Sequence, residues 1–344
     1  MRDAVPTAQH PAIRSALRHR ALIPGLILLI LLAAVASLSI GAATIAPTRL
    51  MAVLAGHGDP LATAILLDLR LPRVLVGLMV GAMLGLAGAA LQGYLRNPLA
   101  EPSVIGASNA AALGAVGAIY FGLAQWNPLM LPALAIGAGL LALVLLFTLS
   151  SHSESPLTLI LAGIAVSTMA GAGISLALNL SSNPFAAMEI TTWLLGSIEN
   201  RSVDHVWIAL PCIVIGAVLL LFDGCALDAL SLGEDGAQAL GVDLRRTRLR
   251  LLLGVGIGVG GAVAVSGSIG FVGLIVPHLV RPWTDRSPSA VLLPSMLAGA
   301  VLLTLADIAV RLISTHNELK LGVLTAFLGV PVFLVHLLRE RRLW

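Results

Sequence analysis

A chain of 344 residues in which 58% are hydrophobic and 11% charged, with a mean hydropathy of +0.98, is not a soluble globular protein, whose charged fraction is about a quarter. Its 20 basic residues against 17 acidic ones include a single lysine, Lys320. A pI of about 9.4 would suggest nucleic acid in a soluble protein. Here it reads as loop bias at a membrane, and no nucleic-acid partner is expected.

The arm 1–20 carries Arg2, Arg14, Arg18 and Arg20 ahead of an apolar run to about Ile45. That run exceeds the apolar core of a cleavable signal peptide and reads as a retained first span. Residues 21–344 form one polytopic domain with ten expected spans: 22–44, 63–94, 103–122, 128–149, 156–179, 203–222, 249–266, 269–283, 290–312 and 319–338. The eighth is short for the hydrocarbon core and is expected to span only half of it. With the arm in the cytoplasm, both termini lie there and fourteen of the twenty Arg/Lys fall inside, as the positive-inside rule requires. Six fall outside: Arg49, Arg70, Arg73, Arg201, Arg311 and Lys320.

The second span carries Gly77, Gly81, Gly85 and Gly88, a spacing that opens a groove for close helix approach. The seventh repeats the pattern from Gly254 to Gly261. Its GIGVGG matches a dinucleotide fingerprint only formally, since no strand precedes it and no acid follows at the required distance. Each glycine-rich span opens after an arginine pair, Arg70/Arg73 and Arg248/Arg250. An inverted repeat of 63–179 on 249–338 is therefore expected.

Residues 226–250 crowd eight charged side chains into a polar interval between apolar spans. A plain turn needs only a few residues, so two short helices forming a partner-docking surface are expected. Ser231 is a candidate cap, and Gly233 and Gly241 are helix breaks. Asp307 stands four residues before Arg311, the favourable order for a helical ion pair. A proton relay at Asp307 is the other reading. His278, after Pro277, reads as structural. The only lysine is followed by leucine, so the Gly-Lys-Ser/Thr phosphate cradle is absent, as are HExxH and GxSxG. Cys212 and Cys225 have no metal or disulfide spacing. No catalytic residue, metal or cofactor is expected. The energy must come from another subunit or an ion gradient.

LRLPRVLVGLMVGAMLGLAGAALQGYLRNPLAEPSVIGASNAAALG (Leu69–Gly114) resembles the membrane subunits of bacterial ABC importers for iron–siderophore complexes, haem and cobalamin, the FecCD-type permeases of type II importers. SLGEDGAQALGV (Ser231–Val242) is similar to that family's coupling segment. GSIGFVGLIVPHLVR (Gly267–Arg281), Leu293–Arg311 and Leu321–Leu338 are similar to its later signatures, in matching order over about 60–338.

The resemblance implies an all-α fold of about ten transmembrane helices in the bacterial inner membrane. It implies a homodimer with a second copy, two ATP-binding subunits and a periplasmic binding protein, and ATP-driven alternating access. Ser231, Leu232, Gly233, Glu234, Asp235, Ala237, Gln238, Leu240 and Gly241 take the coupling position. Arg70, Arg73 and Arg311 take the binding-protein docking positions, and Asn97 and Leu99, in the NPLAEP turn, the gate. Ferric siderophore is the first cargo, then haem, then cobalamin. Lys320 stands where the family has proline, and DRSPSA (Asp285–Ala290) departs from its usual Asp-His-Arg. The alternative from another class is a proton-coupled carrier for a small solute.

Overall fold

The computed structural model describes residues 11–41, 48, 52–53, 55–103, 105–150, 156–313 and 318–340. Residues 1–10, Arg49, the polar stretch 151–155, Arg341 and Arg342 lie outside them.

Each of the ten expected spans contains a helix, and the described residues include no strand. Besides the single turn Leu123–Trp126, the α-helices are α1 (Pro11–Ser39), α2 (Pro60–Leu95), α3 (Ala107–Tyr120), α4 (Met130–Ser150), α5 (Pro156–Leu180), α6 (Pro184–Leu194), α7 (Val203–Phe222), α8 (Gly224–Leu230), α9 (Glu234–Ala239), α10 (Leu244–Ser266), α11 (Val272–Val280), α12 (Pro288–Leu312) and α13 (Leu321–Glu340). Seven are long and apolar enough to cross a bilayer, while α3, α11 and the apolar part of α13 are shorter.

Three boundaries differ from expectation for local reasons. Asp243 caps α10, accepting the Arg246 backbone N–H at 3.0 Å. The seventh helix therefore starts at Leu244 and takes in Arg245–Arg250. α2 begins with a π-helical stretch, Ile65–Arg70. α6 was not anticipated; Asn183 caps it through the Phe185 N–H at 3.0 Å, with Pro184 at its first position.

α2 and α10 are the central helices, with 78% of their spanning windows buried against 11% for α1, which lies at the periphery. The glycines of α2 allow this packing. A β-carbon on Gly81 would collide with the Gly299 carbonyl of α12, and one on Gly88 with the Gly273 carbonyl of α11. Dispersion between backbones this close holds helices together where lipid removes the hydrophobic drive.

The α2–α10 pair runs antiparallel. Tyr94 near the end of α2 accepts from Arg248 Nε near the start of α10 at 3.1 Å, and Met83 packs where Gly258 leaves room. α12 is likewise antiparallel to α2. Its start lies beside Gly93, and Asp307 near its end meets Arg73. The molecule thus has two ends: one holding the polar insert between α7 and α10, the other holding Arg73 and Asp307.

Candidate functional site

The polar insert is clamped at its base. Asp223, ending α7, pairs with Arg250 of α10 at 2.6 Å, and its side chain is 1% exposed. Burial pushes the Asp223 carboxyl up, and the Arg250 guanidinium opposes that shift. The same guanidinium lies 5.1 Å from the Phe222 ring centre. Further along, Asp228 accepts the Ser289 backbone N–H at 2.8 Å and its hydroxyl at 2.5 Å. An acid on α8 thereby satisfies an orphan donor in the first turn of α12.

Both expected short helices are present, with two corrections. Ser231 does not cap the start of a helix: it follows the last turn of α8, where its hydroxyl donates to the Asp228 carbonyl at 2.6 Å. Ala237 is 0% exposed and packs into the chain's own core, so it cannot face a partner. Gly233 (φ 98°) enters α9 and Gly241 (φ 86°) follows it, both in the backbone region that favours glycine. Glu234 and Asp235 lie in the first turn of α9, where acids suit the helix dipole. Leu232 and Leu240, either side of α9, are 71% and 65% exposed. Gln238 is exposed too.

At the opposite end the structure turns the three arginines inward. Arg70 donates to the carbonyls of Leu38 (2.6 Å) and Ser39 (3.0 Å), and Arg311 to those of Ser37 (2.9 Å) and Ile40 (2.8 Å). These are the orphan carbonyls at the end of α1, so two arginines staple the peripheral helix to the core. Arg73 pairs with Asp307 at 2.8 Å and with Glu318. The expected Asp307–Arg311 pair forms at 2.7 Å. Asp307, 2% exposed, is therefore shared by two guanidiniums. Arg70, Arg73 and Arg311, which take the binding-protein docking positions by resemblance, all make bonds within the chain. Lys320, the departure from proline, pairs with Glu199 at 2.8 Å beside a cleft of about 360 Å³ that Trp193 and Arg201 also line.

Near the insert end, where α2 stops, lies a device that sequence reasoning missed. The Asn97–Pro102 turn folds back so that Glu101 accepts the Phe271 backbone N–H at 2.5 Å, one residue before α11. His278 Nε2 donates to the Pro98 carbonyl at 2.9 Å, and Arg281 donates to Gln92 at 3.0 Å. Burial pushes the Glu101 carboxyl up, while the Phe271 N–H and the Ser103 hydroxyl hold it down. Asn97 spends its side-chain oxygen on the Leu99 N–H at 2.9 Å, and Leu99 is 38% exposed. The only signal for Glu101 was an acid inside a two-proline turn. Its partner 170 residues away had none.

A family model, the FecCD transport family, matches residues 28–339. This chain belongs to the FecCD transport family. The FecCD chain is 40% identical over 292 residues to the uncharacterized ABC transporter permease protein YvrB of Bacillus subtilis, with 83% of this chain and 82% of the relative covered. It is 38% identical over 277 residues to the Fe(3+) dicitrate transport system permease protein FecD of Escherichia coli, covering 80% and 86%. A solved structure described as an inward-facing conformation of a metal-chelate type ABC transporter superposes with a TM-score of 0.84 at 35% identity, over 93% of this chain and 99% of that one. The family and the all-α fold expected from the residue motifs are both borne out. As a FecCD permease the chain is a multi-pass transport component of an ABC importer and not an enzyme.

Proposed function

We propose that this permease carries an iron complex, ferric siderophore ahead of haem and cobalamin, from periplasm to cytoplasm by alternating access. It works as a pair of copies in the bacterial inner membrane, with both termini and the polar insert in the cytoplasm. Two ATP-binding subunits grip the insert, with Ser231, Leu232, Gly233, Glu234, Asp235, Gln238, Leu240 and Gly241 as the contact and Ala237 buried beneath it. A periplasmic binding protein docks on the opposite rim, whose shape Arg70, Arg73 and Arg311 hold. Asn97 and Leu99 stand at the cytoplasmic mouth.

The observation that carries this reading is an insert with two leucines exposed on a polar surface, yet tied at its base to α7, α10 and α12. Exposed leucines of this kind mark a partner contact, and the ties give that partner mechanical purchase on the spans. The carrier alternative needs a titrating acid within a span. Asp307 is engaged by two guanidiniums, Arg73 at 2.8 Å and Arg311 at 2.7 Å, and ion pairs already occupying its oxygens speak against a relay there.

The test is ferric-siderophore uptake into proteoliposomes holding this permease, its ATP-binding subunits and its binding protein, with haem and cobalamin as competitors. ATP-dependent, vanadate-sensitive uptake that survives an uncoupler is the expected result. Uptake by the permease alone that collapses with an uncoupler would establish the carrier instead.

A further inference from the structure

Two cavities meet at one turn on the insert end of the molecule. The first is a cleft of about 290 Å³ lined by Gln92, Arg96, Ser231, Arg281 and Arg286, with no acidic side chain among the described residues on its wall. The second is a groove of about 430 Å³ lined, among the described residues, by Ala21, Leu22, Gly25, Leu26 and Leu29 of α1 together with Trp283. Arg281 and Trp283 belong to the same 3-10 turn, Arg281–Trp283. One flank of that turn therefore presents a guanidinium to the basic cleft, and the other an indole to the apolar groove.

Two of the three arginines also stand where arginine is a costly choice. Arg96 has φ 49° and Arg286 φ 69°, in the left-handed region where glycine or asparagine carries less strain. Both side chains are exposed, and neither is bonded to a carboxylate among the described residues. Arg281 is aimed differently, held to Gln92 at 3.0 Å on the cleft wall. Strained backbone that keeps two cations beside a third points to a ligand that needs them.

We infer that this is a binding site for an anionic phospholipid of the leaflet at the insert end, its phosphate on Arg96, Arg281 and Arg286 and an acyl chain in the groove between α1 and Trp283. A basic cleft alone would suit a soluble phosphate or a carboxylate of the ATP-binding subunit. The adjoining groove has no use in either case, whereas a lipid carries both chemistries in one molecule. The periphery of α1 supports the same choice, because only 11% of its spanning window is covered by protein. Tryptophan at the head-group level is the usual anchor of such an interface, and each arginine near an anionic surface adds about a fivefold gain in association.

The full chain in proteoliposomes, titrated with spin-labelled phosphatidylglycerol and phosphatidylcholine, tests this through the fraction of motionally restricted label. Arg96→Gly and Arg286→Gly remove the charge while suiting the left-handed backbone, so a misfolded variant does not confuse the result. Each should lower phosphatidylglycerol association by about fivefold and leave phosphatidylcholine unchanged. Trp283→Ala should weaken both lipids together. Equal association of the two lipids with the unaltered chain would overturn the site, as would a preference that survives Arg96→Gly/Arg286→Gly. Displacement of the label by millimolar inorganic phosphate would make it a soluble-anion pocket. Displacement by added ATP-binding subunit would make it a protein-docking surface.

Discussion

Arg73 is the most committed side chain in the molecule, reaching Asp307 and Glu318 on segments 234 and 245 residues away. Breaking a buried pair from one side leaves the other charge stranded and costs about 3–5 kcal/mol. Arg73 is 14% exposed, which trims that toward roughly 2–3 kcal/mol. Arg73→Ala should therefore lower Tm in detergent, with little dependence on salt, and Arg73→Glu should lower it further. An exposed docking arginine would tolerate either change. Glu101 gives a pH prediction of definite sign. Its folded pKa is raised above the ordinary 4.5 by burial, so the folded state holds the proton longer than the unfolded chain. Its contribution to stability is greatest below that ordinary value and declines as pH rises through the raised one. Relative to Glu101→Gln, which mimics the protonated form and can still accept from Phe271, the unaltered chain should lose Tm as pH rises above 4.5. Equal pH profiles would show that Glu101 is not buried as charge. At this scale the sequence revealed pairs within one helix, such as Asp307 with Arg311, because spacing alone places them. It could not reveal Arg73 with Asp307, which only the packing of α2 on α12 creates.

The helices themselves were legible because lipid demands a long apolar run for each crossing. What hydropathy could not resolve was where a helix begins within an apolar stretch. α11 has nine residues because Phe271, at φ 68°, breaks the backbone and Glu101 takes over its N–H. α6 escaped notice because it is capped by asparagine and does not cross. The glycine spacing of α2 correctly indicated close approach: the backbones it meets are those of α11 and α12, while Met83 fills the space left by Gly258 of α10. That contact is sharp enough to test with one carbon atom. Gly88→Ala forces a methyl into the Gly273 backbone, which cannot swing aside as a side chain would. Overpacking of this kind costs about 1–3 kcal/mol. Gly117→Ala in α3 meets nothing within 4 Å and should gain up to about 1 kcal/mol from helix propensity. Measured side by side by thermal unfolding, the two substitutions should move Tm in opposite directions. Similar shifts would mean that α2 and α11 are not in backbone contact.

Across the whole molecule, α12 joins the two ends. Its first turn is held by Asp228 from the insert, and its last turns carry Asp307 and Arg311, which grip Arg73 and the end of α1. A displacement of the insert therefore has a stiff connection to the far rim through one 25-residue helix, besides the direct tie of Asp223 to α10. This arrangement separates gripping from transmission. Leu232 and Leu240 are exposed and make the surface, so Leu232→Asp/Leu240→Asp should abolish co-purification of the ATP-binding subunits while leaving Tm within about 0.5 kcal/mol equivalent, as surface changes do. Asp228 faces inward and holds α12, so Asp228→Ala should keep those subunits bound. It should let ATP hydrolysis continue while uptake falls, because the Ser289 N–H loses its acceptor and the insert its purchase on α12. If Asp228→Ala instead lost the subunits as completely as the leucine pair, the insert would be a single docking surface and α12 would not be its lever.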